Sequence, residues 1–274
     1  MKVALCLSGQ MRALRHCIDT IPVAFPDCEV DIYATIWDYE SEENVRVLLD
    51  KTNVLSLSRV NNSDLSKHAE FERQVIKKGF ANISQVKNWA PIPVWNLTRI
   101  ELMAQQSYKA ITNDYDYIFR SRYDTRYLTN LIDIVSRVDS ALLTTEDIGG
   151  SAPEDIWKGC RMIFDGFAGG TPETMAQYYQ FADWLPQYFN DHNEVLKAER
   201  TLGWYLWNKT NVNLAFVRNV IGIQINENEW YNRDNPIVTN SLKTKQKGTF
   251  DFYKEDLQKN WPDLYEEIKN VWGS

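Results

Sequence analysis

The sequence predicts an α/β fold, in one main unit with a helical C-terminal extension, and three stretches carry that expectation. Residues 2–60 alternate short apolar runs with helical periodicity, a βαβαβ opening. Residues 115–127, YDYIFRSRYDTRY, run a buried strand directly into a group of charges. Residues 161–185 repeat the alternation, with an apolar run followed by a helix that begins at a Thr-Pro pair. At 274 residues, the chain can bury roughly 75 % of the surface its unfolded form exposes, enough for a sizeable core.

The first run, Lys2–Leu7 (KVALCL), is stopped by Ser8, Gly9 and Gln10, and Met11, Leu14, Cys17, Ile18 and Ile21 follow at helical spacing. This predicts a strand, a tight turn and a helix, ended by Pro22 and Pro26. Val30–Trp37 is the second strand, and its exit carries Thr35, Trp37 and Asp38. A helix over 41–50 and a strand over Val54–Val60 come next, and the polar stretch 61–95 holds a helix near 66–78. Thr98 and Glu101 form a capping box, and Ile100, Ala104, Tyr108 and Ile111 recur at helical intervals, which predicts a helix over 98–113.

Beyond the strand at 115–122 come a helix near 128–137, a strand over Ala141–Thr145 and the loop Gly149–Asp155 (GGSAPED). Arg161–Phe167 reads as a strand closed by Gly169 and Gly170. Thr171 then caps a helix with Pro172 in its first position, and Met175, Tyr178, Ala182 and Leu185 form its buried stripe. A helix near 193–208 carries Glu194 and Glu199, and Asn213–Ile225 is the last strand. The predicted division is 1–225 for the main domain and 226–274 for a loop and an amphipathic helix packed on it.

Composition excludes several functions. The formal charge of −7 lacks the basic stripe of a nucleic-acid binder, so no nucleic-acid partner is expected, although a local basic pocket for a small phosphorylated ligand stays open. No run reaches the ~18 apolar residues of a transmembrane segment, and Met1–Leu7 gives way to Ser8 too early for a signal-peptide core. A cytoplasmic protein is therefore expected, and the sequons at Asn61, Asn82, Asn96 and Asn208 are read as chance matches. Cys6, Cys17, Cys28 and Cys160 contain no C-x-x-C pair, and His16, His68 and His192 lack metal-site spacing. No G-x-S-x-G elbow is present. Ten Trp and fourteen Tyr suit walls for sugars or bases, and equally an aromatic core.

Arg120, Arg122, Asp124 and Arg126 stand at every second position, so an extended chain would project them from one face at the carboxyl end of the strand. Ligands of open α/β sheets bind at that edge. Cations for phosphate with an acid for a metal is one reading, and a solvated strand end with Arg–Asp pairing is the other. The turn SGQMR carries neither phosphate-loop fingerprint, yet a turn at a helix N-terminus offers backbone N–H groups to an anion, with Arg12 and Arg15 nearby. Asp165 is a candidate sugar ligand or base, or else a turn aspartate bonded to its own backbone. Glu199 is a candidate proton acceptor, or a solvent-facing helix residue.

Four stretches in order, MKVALCLSGQMR, VDIYATIWD, YDYIFRSRYDTRY and FDGFAGGTPETMAQYY, resemble a glycosyltransferase family of bacteria and large DNA viruses or phages. Its pattern runs S-G-Q-x-R, D-I-F-x-x-x-W-D, R-x-R-x-D and D-x-F-x-x-G, and the resemblance spans about residues 1–210. It implies a GT-A fold, a Rossmann-like three-layer α/β/α arrangement with a mostly parallel mixed sheet that binds a nucleotide-sugar at its strand ends. Ser8, Gly9, Gln10 and Arg12 would line the nucleotide pocket, with Trp37 and Asp38 near the base or ribose.

Where GT-A enzymes carry a D-x-D signature for a divalent cation, this chain has Arg122, Tyr123 and Asp124, so the first acid is replaced. A Mn²⁺ or Mg²⁺ cofactor would rest on Asp124, and Arg120 and Arg122 are the alternative partners of the diphosphate. The implied activity is transfer of a sugar from a nucleotide-sugar donor to a glycan or lipid-linked acceptor, in surface-polysaccharide or viral or bacterial glycan synthesis. Asp165 or Glu199 would be the base of an inverting enzyme. A non-catalytic carbohydrate-binding protein and a metal-dependent phosphohydrolase using Asp124 and Asp165 remain alternatives.

Overall fold

The computed structural model describes residues 1–11, 13–61, 94–138, 141–146, 156–157, 160–161, 163–191, 198–217, 220–224, 230–231, 258, 262 and 266. Its opening is the expected alternation: β1 (Lys2–Gly9), the short helices α1 (Leu14–Cys17) and α2 (Ile21–Ala24), β2 (Glu29–Trp37), α3 (Glu42–Lys51) and β3 (Asn53–Val60). Then come α4 (Val94–Lys109), β4 (Tyr117–Arg122), β5 (Thr125–Tyr127), α5 (Leu131–Val135), β6 (Leu142–Glu146), β7 (Ile156–Trp157), β8 (Cys160–Arg161) and β9 (Ile163–Gly170). Helices α6 (Pro172–Tyr179), α7 (Phe181–Asp191) and α8 (Ala198–Lys209) and strands β10 (Leu214–Val217), β11 (Ile221–Gln224) and β12 (Trp230–Tyr231) complete the set.

Seven strands form one sheet in the order β10-β6-β9-β4-β1-β2-β3. The strands β1 to β4 run parallel to one another, β9 runs antiparallel to both β4 and β6, and β10 is parallel to β6. Because β1 is central, Val3–Ser8 are buried on both faces and read as a continuous apolar run rather than an alternation. One face packs Val3, Leu5, Leu7 and Phe119 on Leu14, Ile18 and Leu48. The other packs Ala4, Cys6 and Ile118 on Ala104, Met175 and Leu202, which gives three layers, α/β/α. The antiparallel course of β9 brings its beginning, and with it Asp165, to the edge where β1, β2 and β4 end.

Several expectations change. The helix predicted from Met11 is instead α1, a 3₁₀ turn over Ile18–Thr20 and α2, because Pro22 at the start of α2 denies that stretch a continuous ladder. The fourth helix begins at Val94, not at a cap on Thr98, and the Glu101 carboxylate is spent elsewhere. Gly169 and Gly170 do not close a turn: they lie inside β9, opposite Phe119 and Ile118. A Cβ on Gly169 would stand 2.2 Å from the Phe119 ring, so glycine is what lets β9 pair there. The last predicted strand is two: β10 joins the main sheet, while β11 forms a small antiparallel sheet with β5 and β12.

Thr171 caps α6 as expected, and Ser41, the first residue of the range expected for a helix, proves to be the N-cap of α3. The helix expected near 66–78, the loop 149–155, His68, His192, Glu194 and most of the C-terminal extension lie outside the described residues. In that extension Gln258, Pro262 and Glu266 are helical and exposed. No helix among the described residues is long and apolar enough to cross a membrane. Cys6, Cys17 and Cys28 are free thiols, and burial pushes Cys6 and Cys17 up to about 12, which suits structural cysteines.

Candidate active site

The charged strand end does not project as one set. Arg120 is 0 % exposed, enclosed between the sheet, α4 and α6. Its two terminal nitrogens donate to Glu101 Oε1 and Oε2 at 2.9 Å each, and Nη1 also donates to the Tyr178 hydroxyl. Burial pushes Glu101 up to about 7 against the pull of Arg120, and Asp165 adds to the rise. Burial works to lower Arg120, but Glu101, Tyr178 and Asp165 together hold it above the ordinary arginine value. The expectation that Arg120 faces a diphosphate is therefore corrected: its guanidinium is an internal ion pair between β4 and α4.

Arg122, two residues on, reaches the edge. Its side chain is 29 % exposed, and Nε and Nη2 donate to Asp124 Oδ1 and Oδ2 at 2.9 and 2.6 Å. The chain turns at Tyr123 and Asp124, so Asp124 folds back on Arg122 and is itself 2 % exposed. Burial lowers the Arg122 guanidinium, and Asp124 and Asp165 more than reverse that, so it stays protonated. Gly166 makes room for the arginine stem, since a Cβ there would lie 2.5 Å from Arg122 Cδ. Arg126, the fourth charge of the series, belongs to β5 and pairs in register with Gly222 of the small sheet.

The ends of β1 and β2 form the neighbouring rim. Ser8 is in register with Arg122 on one side and Thr35 on the other, and its buried hydroxyl has no hydrogen-bond partner among the described residues. Gly9 has φ 113°, a conformation that L side chains rarely adopt, so the turn itself requires glycine. The predicted anion cradle of free N–H groups is reduced: Glu40 Oε1 accepts from the Met11 N–H at 3.0 Å, and α1 is only four residues long. Trp37 and Tyr39 stack with centroids 5.9 Å apart and planes within 7°, and Gln10 Nε2 reaches the Tyr39 hydroxyl at 3.4 Å. Asp38 is exposed beside them.

Core-mannan synthase A of Aspergillus fumigatus, solved in a Mn/GDP form, is similar in structure with a TM-score of 0.53 and 12 % identity, covering 85 % of this chain and 76 % of that one. The chain has the GT-A fold. Mouse xyloside xylosyltransferase 1, apo form, aligns at 11 % identity and a TM-score of 0.49 over 80 % of this chain and 86 % of that one. No family model matches the sequence, and no curated protein does.

On this GT-A edge Ser8, Gly9, Gln10, Trp37, Asp38, Arg122, Asp124 and Asp165 come from four adjacent strand ends or the turns beyond them. Arg12 lies outside the described residues. Glu199 stands half-buried on a separate element, the first turn of α8, a helix packed on β8 and β9. A divalent cation does not fit the described side chains. Both Asp124 oxygens accept from Arg122, the guanidinium also lies in the field of Asp165, and no three His, Cys, Asp or Glu side chains among the described residues converge.

Sequence reasoning missed Glu101, Tyr178, Tyr39 and Glu40. A signal existed for the first: Glu101 sits three and seven residues before Ala104 and Tyr108, on the stripe assigned to the core, where an acid requires a buried partner.

Proposed function

We propose that this chain is a glycosyltransferase that moves a sugar from a nucleoside-diphosphate sugar to a hydroxyl of a glycan or lipid-linked acceptor. The observation that carries the reading is the presence together, at the carboxyl edge of a GT-A sheet, of a protonated guanidinium, Arg122, and a second carboxylate, Asp165. Arg122 is half-buried and fixed in direction, and Asp165 is 9 % exposed with no hydrogen-bond donor to it among the described residues. The Ser8–Gly9 turn and the Trp37–Tyr39 stack at the neighbouring strand ends have the chemical character to receive a phosphate and a planar base.

Transfer then proceeds by attack of the acceptor oxygen on the anomeric carbon as the bond from that carbon to the diphosphate breaks. The electron pair leaves with the diphosphate, whose growing charge needs a preorganised cation, and in an inverting enzyme the acceptor proton passes to a carboxylate. Asp165 is the nearer candidate base by its place on the edge, and Glu199 is the second.

The test is a panel of UDP, GDP, CDP and ADP and their sugars, followed by thermal shift and by release of free sugar or transfer to acceptors. Stabilisation by one nucleotide and turnover of its sugar are expected, with turnover lost in Asp165→Asn and retained in Glu199→Gln. Glycan binding without any nucleotide binding would replace this reading with that of a carbohydrate-binding protein on the same fold.

A further inference from the structure

We infer that the cation serving the leaving diphosphate is the Arg122 guanidinium itself, with Asp124 as its positioning residue, and that neither donor binding nor transfer requires a divalent metal. The inference rests on the proposed use of a nucleoside-diphosphate donor. Its ground is how the two side chains divide their hydrogen-bonding groups. Asp124 accepts from Nε and Nη2, one edge of the guanidinium, and with both oxygens so occupied and 2 % exposure it presents no face to a cation. Nη1, on the other edge, has no partner among the described residues. The side chain as a whole keeps 29 % of its surface, at the carboxyl end of β4.

Three further features surround Arg122. Gly166 admits its stem against β9, where any Cβ would be 2.5 Å from Cδ. The Asp165 carboxylate favours its charged form. Ser8, in register with it on β1, adds a buried hydroxyl without a partner among the described residues, suited to the same anion. A planar guanidinium clamped along one edge is preorganised to donate from the other, without the reorganisation that a free side chain would undergo.

In the transfer step the bond between the anomeric carbon and the diphosphate oxygen breaks, and its electron pair remains on that oxygen as Nη1 donates to the diphosphate. The acceptor oxygen forms the new bond and, in an inverting enzyme, yields its proton to Asp165, which passes it to water as the products leave. Arg122 and Asp124 begin and end the cycle in the same ionisation states, so no co-reactant is needed.

The experiment titrates the full chain with UDP, GDP and inorganic pyrophosphate by calorimetry, first in excess EDTA and then with saturating Mn²⁺ or Mg²⁺. Binding of one nucleotide in EDTA, with affinity and turnover changed less than about threefold by either metal, is the expected result. Binding or turnover that appears only with metal would overturn the inference and leave the nucleotide-sugar reading standing. Failure of every diphosphate to bind in both series would remove that reading and this one together.

Variants supply an independent arm. Arg122→Lys keeps the charge but loses the fork, and should weaken diphosphate binding by roughly ten- to a hundredfold in EDTA. Asp124→Asn, which keeps one acceptor for the fork, should weaken it less than Asp124→Ala does. Methylguanidinium should restore part of the turnover of Arg122→Ala. An Asp124→Asn protein that loses a Mn²⁺-dependent component of binding would show Asp124 to be a metal ligand instead.

Discussion

Arg120 and Arg122 leave the same strand on the same face, one pleat repeat apart, and meet opposite fates. The first is closed under α4 and α6, and its charge is answered by Glu101 and a tyrosine hydroxyl. The second emerges where helical cover ends, is answered on one edge only, and keeps part of its surface. Two residues of extended chain are about 6.6 Å, and that distance separates an internal strut from a candidate ligand contact. Residue type and face are thus poor guides to role at a sheet edge, and depth beneath the flanking helices decides it.

The sharpest way to break this comparison is to remove each guanidinium in turn. Arg120→Ala leaves an acid buried without its partner and should cost about 3–5 kcal/mol in urea denaturation, whereas the double variant Arg120→Met with Glu101→Leu should cost clearly less than the two single changes summed. A loss of only about 1–3 kcal/mol for Arg120→Ala, the range expected of Arg122→Ala, would put the two arginines in one class.

The protonation of Glu101 tests the sealed side without removing it. Burial raises its value from 4.5 to about 7, so the folded chain holds this proton more tightly than the unfolded chain does. Its stabilising contribution is therefore complete below about pH 4.5 and is lost as the pH rises through about 7. Urea denaturation of wild type and Glu101→Gln across that window should diverge, with wild type losing stability relative to the variant as the pH rises. A constant difference would mean that Glu101 is ionised throughout.

On the open side, Arg122→Ala should destabilise by only about 1–3 kcal/mol, the cost to Asp124 of two lost donors, while diphosphate binding suffers more than stability does. The smallest effect is expected of Gly166→Ala. The added methyl would push on the Arg122 stem and the Phe164 ring, both able to shift, for about 1 kcal/mol of stability but a measurable loss of diphosphate affinity. A Gly166→Ala protein with unchanged affinity would show that the arginine need not be held where it stands.

How far the sequence was legible follows from which interactions are local. The strands β1, β2 and β3, the cap at Thr171 and the proline at the start of α6 were readable because each depends on neighbours within a few residues. Gly169 reads as part of a turn, since a glycine required by a ring on the next strand looks the same in sequence as one required by a backbone angle. Glu101 was misread as half of a capping box for a like reason: Thr98 and Glu101 match the pattern, but the helix had already begun at Val94.

By itself the sequence determined the α/β alternation, the parallel opening of the sheet, and the presence of arginines and acids at the end of β4. These rest on periodicity and turn chemistry, which act over a few residues. Only the tertiary structure decided which arginine is available. The partners that enclose Arg120 lie 19 and 58 residues away in the chain, on helices whose coverage of the sheet no local pattern encodes. The antiparallel return of β9, which carries Asp165 to the same edge, is likewise set by pairing with β4 and β6, because strand direction is a property of the assembled sheet.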